Sequence, residues 1–278
     1  MEIDAEIKLQ HDALNGLKST FVGSDIDQIC KSFQDFYETT IKAAVPSINP
    51  TIYIMYGPPA SGKGHILKTL SDDAIRNRNY VNVNLDDIIQ SNTGYIRDIE
   101  KIKCKDLYNV TNCEIINKDN IEKCKSVYFR YKPFADCYST LLLLNAIKQH
   151  KNIVYETTGR SVRWFLDHDL KFIKPNYKIV IIYPLVDIDK LKERSCARAK
   201  EHGRYVDEKT IKEIVSLAPT NLISILNEVK TYDLRLYDNN GTDPILLFEK
   251  TPSLTRELSR ATKSLSTLEY ITEKNWWN

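Results

Sequence analysis

Two glycines and a lysine offer the clearest chemistry in this chain. Gly57-Pro58-Pro59-Ala60-Ser61-Gly62-Lys63-Gly64-His65 has the spacing Gly-x4-Gly-Lys. Between a buried strand and an amphipathic helix, that spacing is the pattern of a phosphate-binding loop. Gly57 and Gly62 permit backbone angles that turn several N–H groups toward one anion. The Lys63 ammonium is then the group that reaches the β- and γ-phosphates of a nucleotide, and a helix beginning near Lys63 adds its N-terminal dipole. Every residue from Gly57 to His65 is a candidate nucleotide contact.

Three further segments carry polar groups where an α/β sheet binds its ligands. Asn82-Val83-Asn84-Leu85-Asp86-Asp87 reads as a strand ending in acids. Phosphoryl transfer to a hydroxyl needs a group that takes or orients the acceptor's proton, and Asp86 suits that role and would face the acceptor. Asp87 reads as the cap of a helix starting at Ile88. Ile153-Val154-Tyr155-Glu156 is an apolar strand ending in an acid, the form of a Walker B element that holds magnesium directly or through water. Gly64 stands where Ser or Thr commonly supplies a magnesium ligand, so Glu156, helped by Ser61, has to carry the metal. Thr157, Thr158 and Arg160 offer hydroxyls and a guanidinium to a polar acceptor, while a plain Glu156–Arg160 ion pair is the competing reading. Arg194 and Arg198 lie one helical turn apart and Gly203-Arg204 follows. A lid built this way neutralises charge on the transferring group, with Arg198 and Arg204 as candidate catalytic groups.

Positioning these residues requires strands and helices in alternation. Apolar, β-branched or aromatic runs occur at 51–56, 80–85, 153–155, 177–183, 234–237 and 245–248, as strands buried on both faces do. Helical periodicity fills 62–76, 134–150, 187–202 and 208–230. The pattern predicts an α/β fold with a central, mostly parallel sheet of five or six strands covered on both faces. Residues 1–50 form an N-terminal helical extension, with Ile26 to Tyr37 on an apolar face and Ser24 or Asp25 as cap. Residues 91–132 read as an insertion of short helices, 188–206 as the lid, and 251–278 as a C-terminal helix around 254–268 with a tail.

The 278 residues carry 39 Lys and Arg against 37 Asp and Glu. That near balance argues against a nucleic-acid partner. Six scattered cysteines, with no CxxC pair, read as reduced thiols. The acidic start has no signal-peptide core, and the greasiest stretch, around Leu141–Leu144, falls far short of the ~20 residues of a membrane helix. A soluble cytoplasmic protein with no membrane contact is the expectation.

The Gly57–Gly64 loop, Asn84-Leu85-Asp86-Asp87, Glu156-Thr157-Thr158-Gly159-Arg160 and the Arg198/Gly203-Arg204 lid, in this order, resemble the zeta toxin family of P-loop kinases. Leu236-Tyr237-Asp238-Asn239-Asn240-Gly241 is similar to the late strand that closes the family's core. The likeness runs over roughly 50–250, with 51–250 as the P-loop kinase core. It implies a three-layer kinase fold, ATP or GTP as donor, Mg2+, and a small-molecule hydroxyl as acceptor. In toxin members that acceptor is the 3′-hydroxyl of a UDP-N-acetyl-sugar, with the strand-2 aspartate as base. An antitoxin-like protein inhibitor belongs to the family picture, although no residue here indicates one. Gly64 departs from the usual Ser or Thr, and the 91–132 stretch does not read as a sugar-nucleotide site, so the acceptor is open. Polynucleotide 5′-kinases share an Asn-x-Asp-Asp-like strand end. Nucleoside monophosphate kinases share Lys63-Gly64, but the Asp-Gly-Phe-Pro-Arg element of adenylate kinases is missing. A nucleotide-binding scaffold without transfer is the remaining alternative.

Overall fold

β-Branched runs too apolar to face water become strands buried on both sides. The strands are β1 (Thr51–Tyr56), β2 (Val81–Val83), β3 (Ile153–Thr157), β4 (Lys178–Leu185), β5 (Asp233–Asp238), β6 (Ile245–Thr251) and β7 (Leu254–Glu257), of which β1 and β4 are the clearest cases. The helices are α1 (Glu2–Thr20), α2 (Ile26–Lys42), α3 (Lys63–Thr69), α4 (Asp73–Arg76), α5 (Leu85–Gln90), α6 (Thr93–Lys101), α7 (Lys118–Lys148), α8 (Val162–Trp164), α9 (Ile188–His202) and α10 (Glu208–Val229). The structure is a computed structural model that describes residues 2–21, 25–102, 118–173, 177–202, 206–229 and 231–257. The chain divides into two compact units, one of Met1–Pro50, Arg78–Ile153 and Cys196–Tyr205, the other of Thr51–Asn77, Val154–Ser195 and Val206–Asn278.

The second unit carries six strands in the order β3-β1-β4-β5-β6-β7. β1 pairs parallel to β4 with Thr51 opposite Lys178, and β4 pairs parallel to β5 with Val180 opposite Asp233. β1 is interior, as its sequence demands, and Ile52 through Tyr56 are all buried. β6 and β7 return antiparallel. The mostly parallel α/β sheet is the expected one, but its far end differs. Leu254–Glu257 is not the start of a helix: Thr251 pairs with Leu254 across Pro252-Ser253, a two-residue loop that folds the chain back onto β6. The rest of the expected 254–268 helix lies outside the described residues. The single helix expected over 62–76 is broken at Leu70, which is extended, and Asp72 beyond it is drawn to Arg235 at 2.7 Å.

The first unit is helical apart from β2. Phe33 of α2 stacks against Phe134 and Tyr138 of α7, with ring centroids 6.0 and 5.6 Å apart. Helix α7 does not start at 134, where the helical periodicity begins. It begins at Lys118 and runs through Pro133, which is exposed. Of the expected insertion, α6 is one regular helix, and residues 103–117 lie outside the described residues. Asp25 precedes α2 but makes no side-chain cap bond, because its carboxylate takes the Arg97 guanidinium instead; Ser24 is outside the described residues. The cysteines also depart from the reduced set expected. Cys30, Cys124 and Cys137 are buried and form no disulfide, whereas Cys196 is disulfide-bonded. No described helix is long and apolar enough to cross a membrane.

One buried acid sets a pH dependence. Burial raises the Asp169 carboxyl from 3.8 to about 6, against the lowering effect of the Tyr155 hydroxyl that donates to it and of His168. Folded Asp169 therefore keeps its proton where the unfolded chain has lost it. Its contribution to stability is full below about pH 3.8 and is lost as pH rises through about 6. Asp169→Asn should gain up to about 3 kcal/mol of stability over the parent at pH 8 and little at pH 4. Urea denaturation at the two pH values measures the difference, and an equal effect at both would contradict it.

Candidate active site

The loop is shaped by what surrounds it. After Tyr56 the chain must pass close to β4: Gly57 has φ 141°, and a Cβ there would lie 3.1 Å from the Tyr183 ring. The Gly57 N–H donates to the Thr157 carbonyl at 3.1 Å, which ties the loop to the end of β3. Gly62, at φ 80°, leads into α3, and a Cβ there would stand 2.2 Å from Asn239 Nδ2. Ala60 holds φ 61° without being glycine, a local strain of about 1–2 kcal/mol. Gly64 is unlike its neighbours, since a Cβ there would meet nothing within 4 Å. His65 is exposed.

Lys63 is buried, at 4% exposure. Its Nζ donates to the carbonyls of Gly57 at 2.8 Å and Pro58 at 3.0 Å, and lies 3.3 Å from Glu156 Oε1. The candidate Walker B acid and the loop lysine are thus brought together, and the Glu156–Arg160 pair is not formed. Arg160 turns instead to Glu213 on α10, with bonds of 3.0–3.3 Å. Thr157 Oγ1 accepts from the Gly159 N–H at 3.3 Å, and Thr158 is exposed. Gly159 has φ 72°, and a Cβ there would fall 2.3 Å from the Tyr56 ring. Burial pushes the Tyr56 phenol far up, so it stays a donor, and it gives its proton to the Ala218 carbonyl at 2.8 Å.

Asn239 and Arg194 join the loop although neither stood among the candidate site residues. Asn239 Nδ2 donates to the Ser61 carbonyl at 2.7 Å, and Arg194 Nη2 donates to the Asn239 carbonyl at 2.8 Å. Three of the four buried side-chain polar atoms lacking a hydrogen-bond partner among the described residues sit in this group: Ser61 Oγ, Arg194 Nη1 and Asn239 Oδ1. The fourth, Arg235 Nε, faces Glu249 at 3.3 Å. Each such atom costs about 1–3 kcal/mol unless something meets it, and two of the three, the Ser61 hydroxyl and Arg194 Nη1, are donors that a ligand with acceptor oxygens would meet. A signal for Asn239 existed in the Asp238-Asn239-Asn240-Gly241 strand end, and one for Arg194 in its one-turn spacing from Arg198.

Asp86 belongs to the first unit. β2 stops at Val83, so Asp86 is not on a strand tip but in the first turn of α5. The cap of that helix is Asn84, whose Oδ1 accepts from the Asp86 N–H at 2.9 Å and the Asp87 N–H at 3.4 Å. Asp87 is therefore not the cap, and its carboxylate accepts from Asn82 at 2.8 Å. Asp86 is half-buried and accepts from the Tyr128 hydroxyl at 3.4 Å. Arg198 is half-buried on the part of α9 that belongs to the first unit, and Gly203 and Arg204 lie outside the described residues. Among those residues no three His, Cys, Asp or Glu side chains cluster as a metal site. Magnesium needs only one or two protein oxygens beside phosphate and water, however, and Glu156 with the Ser61 hydroxyl meets that requirement.

A family model described as zeta toxin matches residues 34–246. This chain belongs to the zeta toxin family. The family is one of kinases, so a nucleotide-dependent, kinase-like function goes with membership. Among curated relatives, uncharacterized protein L872 of Acanthamoeba polyphaga mimivirus is 27% identical over 255 residues, covering 80% of this chain and 72% of the relative. The PezAT chromosomal toxin–antitoxin structure from Streptococcus pneumoniae aligns with TM-score 0.59 at 13% identity, over 89% of this chain and 94% of its own. AvrRxo1-ORF1:AvrRxo1-ORF2, determined with ATP, aligns with TM-score 0.54 at 11% identity, over 88% and 73%. At these identities the structural likeness is one of fold.

The turn after β3 is fixed by space. Gly159→Ala combines a strained backbone with overpacking against Tyr56 and should cost about 2–4 kcal/mol. The adjacent exposed Thr158→Ala should stay within about 0.5 kcal/mol of the parent. Chemical denaturation of the two variants checks this, and equal midpoints would contradict it.

Proposed function

We propose that this zeta toxin family member is an ATP- or GTP-dependent kinase that transfers the γ-phosphoryl group to a hydroxyl of a small molecule. A UDP-N-acetyl-sugar is the first acceptor class to test. The observation that carries the reading is the loop itself: a buried lysine beside Gly57 and Gly62, with unpartnered polar atoms on Ser61 and on Asn239 and Arg194, which bond to the loop and to each other. A related fold determined with ATP supports the choice of donor. Relatives of the same fold occur in toxin–antitoxin assemblies, which supports an antitoxin-like protein as partner. A cytoplasmic location is part of the proposal.

In this reading residues 57–65 hold the donor phosphates, and Lys63 exchanges a carbonyl partner for a phosphate oxygen. Glu156 and Ser61 would hold Mg2+, which supplies charge neutralisation on the phosphates when bound. The acceptor hydroxyl oxygen bonds to the γ-phosphorus, its proton passes to the Asp86 carboxylate, and the bond to the β-phosphate bridging oxygen breaks to release the diphosphate. Thr157, Thr158 and Arg160 contact the acceptor, the last after leaving Glu213. Arg198 and Arg204 neutralise the transferring group.

Transfer of labelled γ-phosphate should be screened against sugar nucleotides, nucleosides and 5′-hydroxyl oligonucleotides. A hydroxylated small molecule should accept it. Label on oligonucleotides alone would replace the acceptor class, and no transfer despite nucleotide binding would favour a scaffold. With the acceptor in hand, Asp86→Asn should lower turnover about 10²–10⁴-fold with little change in donor affinity. Full turnover in that variant would remove Asp86 from the chemistry. Glu156→Gln should raise the magnesium concentration needed for half-maximal rate, and an unchanged magnesium dependence would leave Glu156 as the ion-pair partner of Lys63 alone.

A further inference from the structure

Asn239 occupies an unusual position for a residue at the end of a strand. It is buried, at 2% exposure, and touches two separate elements. Its side-chain amide donates to the Ser61 carbonyl at 2.7 Å, and its backbone carbonyl accepts from Arg194 Nη2 at 2.8 Å. The bond to a carbonyl fixes which end of the amide is nitrogen, so Oδ1 is the atom left without a donor. Arg194 spends one nitrogen on Asn239 and leaves Nη1 buried and unpartnered. That nitrogen would lie 3.7 Å from a Cβ placed on Gly62. Ser61, whose carbonyl Asn239 holds, is fully buried and carries the third unpartnered atom.

From this arrangement we infer that Asn239 is a positioning residue for the donor phosphates: it locks the loop at Ser61 and, through the same residue, holds Arg194 over Gly62 as a second fixed cation beside Lys63. The inference rests on the kinase reading. Its chemistry is that of an anion with several acceptor oxygens, which meets the Nη1 donor and the Ser61 hydroxyl together. The loop and the arginine are aligned before the anion arrives, because one side chain and its own carbonyl set both. Asn239 itself need not touch the phosphate.

The Asn239 carbonyl survives truncation of its side chain, but without the side-chain bond to Ser61 that carbonyl is no longer tied to the loop under Arg194, so the two losses must not add. Binding of ATP and GTP to the full chain is measured by calorimetry for the parent, Asn239→Ala, Arg194→Ala and the double variant. Each single variant should weaken binding about tenfold, and the double variant no more than the weaker single one. Asn239→Asp keeps the shape but removes the donor to Ser61, so it should weaken binding as well, and it serves if Asn239→Ala fails to fold. Losses that multiply in the double variant would overturn the inference, as would parental affinity in both Asn239 variants. A parent chain that binds neither nucleotide would remove the kinase reading and this inference with it.

Discussion

A buried ammonium group is the constraint around which the second unit is arranged. Removing the Lys63 charge from water costs several kcal/mol unless oxygen atoms replace the solvent. Here they come from the carbonyls of two consecutive loop residues, Gly57 and Pro58, and from one carboxylate, at 2.8, 3.0 and 3.3 Å. The carboxylate must arrive on a strand beside β1, which is where β3 lies. The loop carbonyls must point inward, which explains why the chain turns so tightly against Tyr183 at Gly57. An ammonium has three protons, and all three have partners. In the proposed reading, nucleotide binding would be an exchange of partners at Lys63 and not the filling of an idle charge, so its net gain would be smaller than a bare Coulomb estimate suggests.

A second layer of order comes from the polar atoms left unmatched near the loop. Elsewhere among the described residues one such atom remains, Arg235 Nε, and it faces the Glu249 carboxylate at 3.3 Å. Around Ser61 and Asn239 there are three, and that asymmetry sets a binding surface apart from a merely well-packed turn. Stability forgone there is recovered when a ligand with the complementary oxygens binds.

Much of this was legible in the sequence because the signals were local. β1, the glycine spacing and Lys63 occupy one continuous stretch, and an interior parallel strand leaves few choices of residue. The failures came where the deciding partner was distant. Asn84 takes the capping role from Asp87 because β2 ends earlier than its apolar residues suggest. The helical periodicity begins only at 134, yet Pro133 lies on an exposed face where its missing N–H leaves a carbonyl that water can reach, and α7 runs through it. β7 is recruited by the hairpin to β6, which outweighs the helical spacing of its own residues. Arg160 finds Glu213 and not Glu156, a choice made by α10. Asn239 and Arg194 gain meaning only when β5 and α9 are folded next to the loop.

The glycines around the loop differ in how tightly they are held. Those at 57, 62 and 159 are pinned by a ring or an amide where a Cβ would go, and each has a positive φ. Gly64 has open space and ordinary backbone angles. Nothing steric keeps a hydroxyl-bearing side chain out of that position. A Ser or Thr there would meet no neighbour and would not require the loop to be rebuilt. Position 64 is thus open to exchange, while the turns at positions 57, 62 and 159 cannot take a side chain unless their neighbours move.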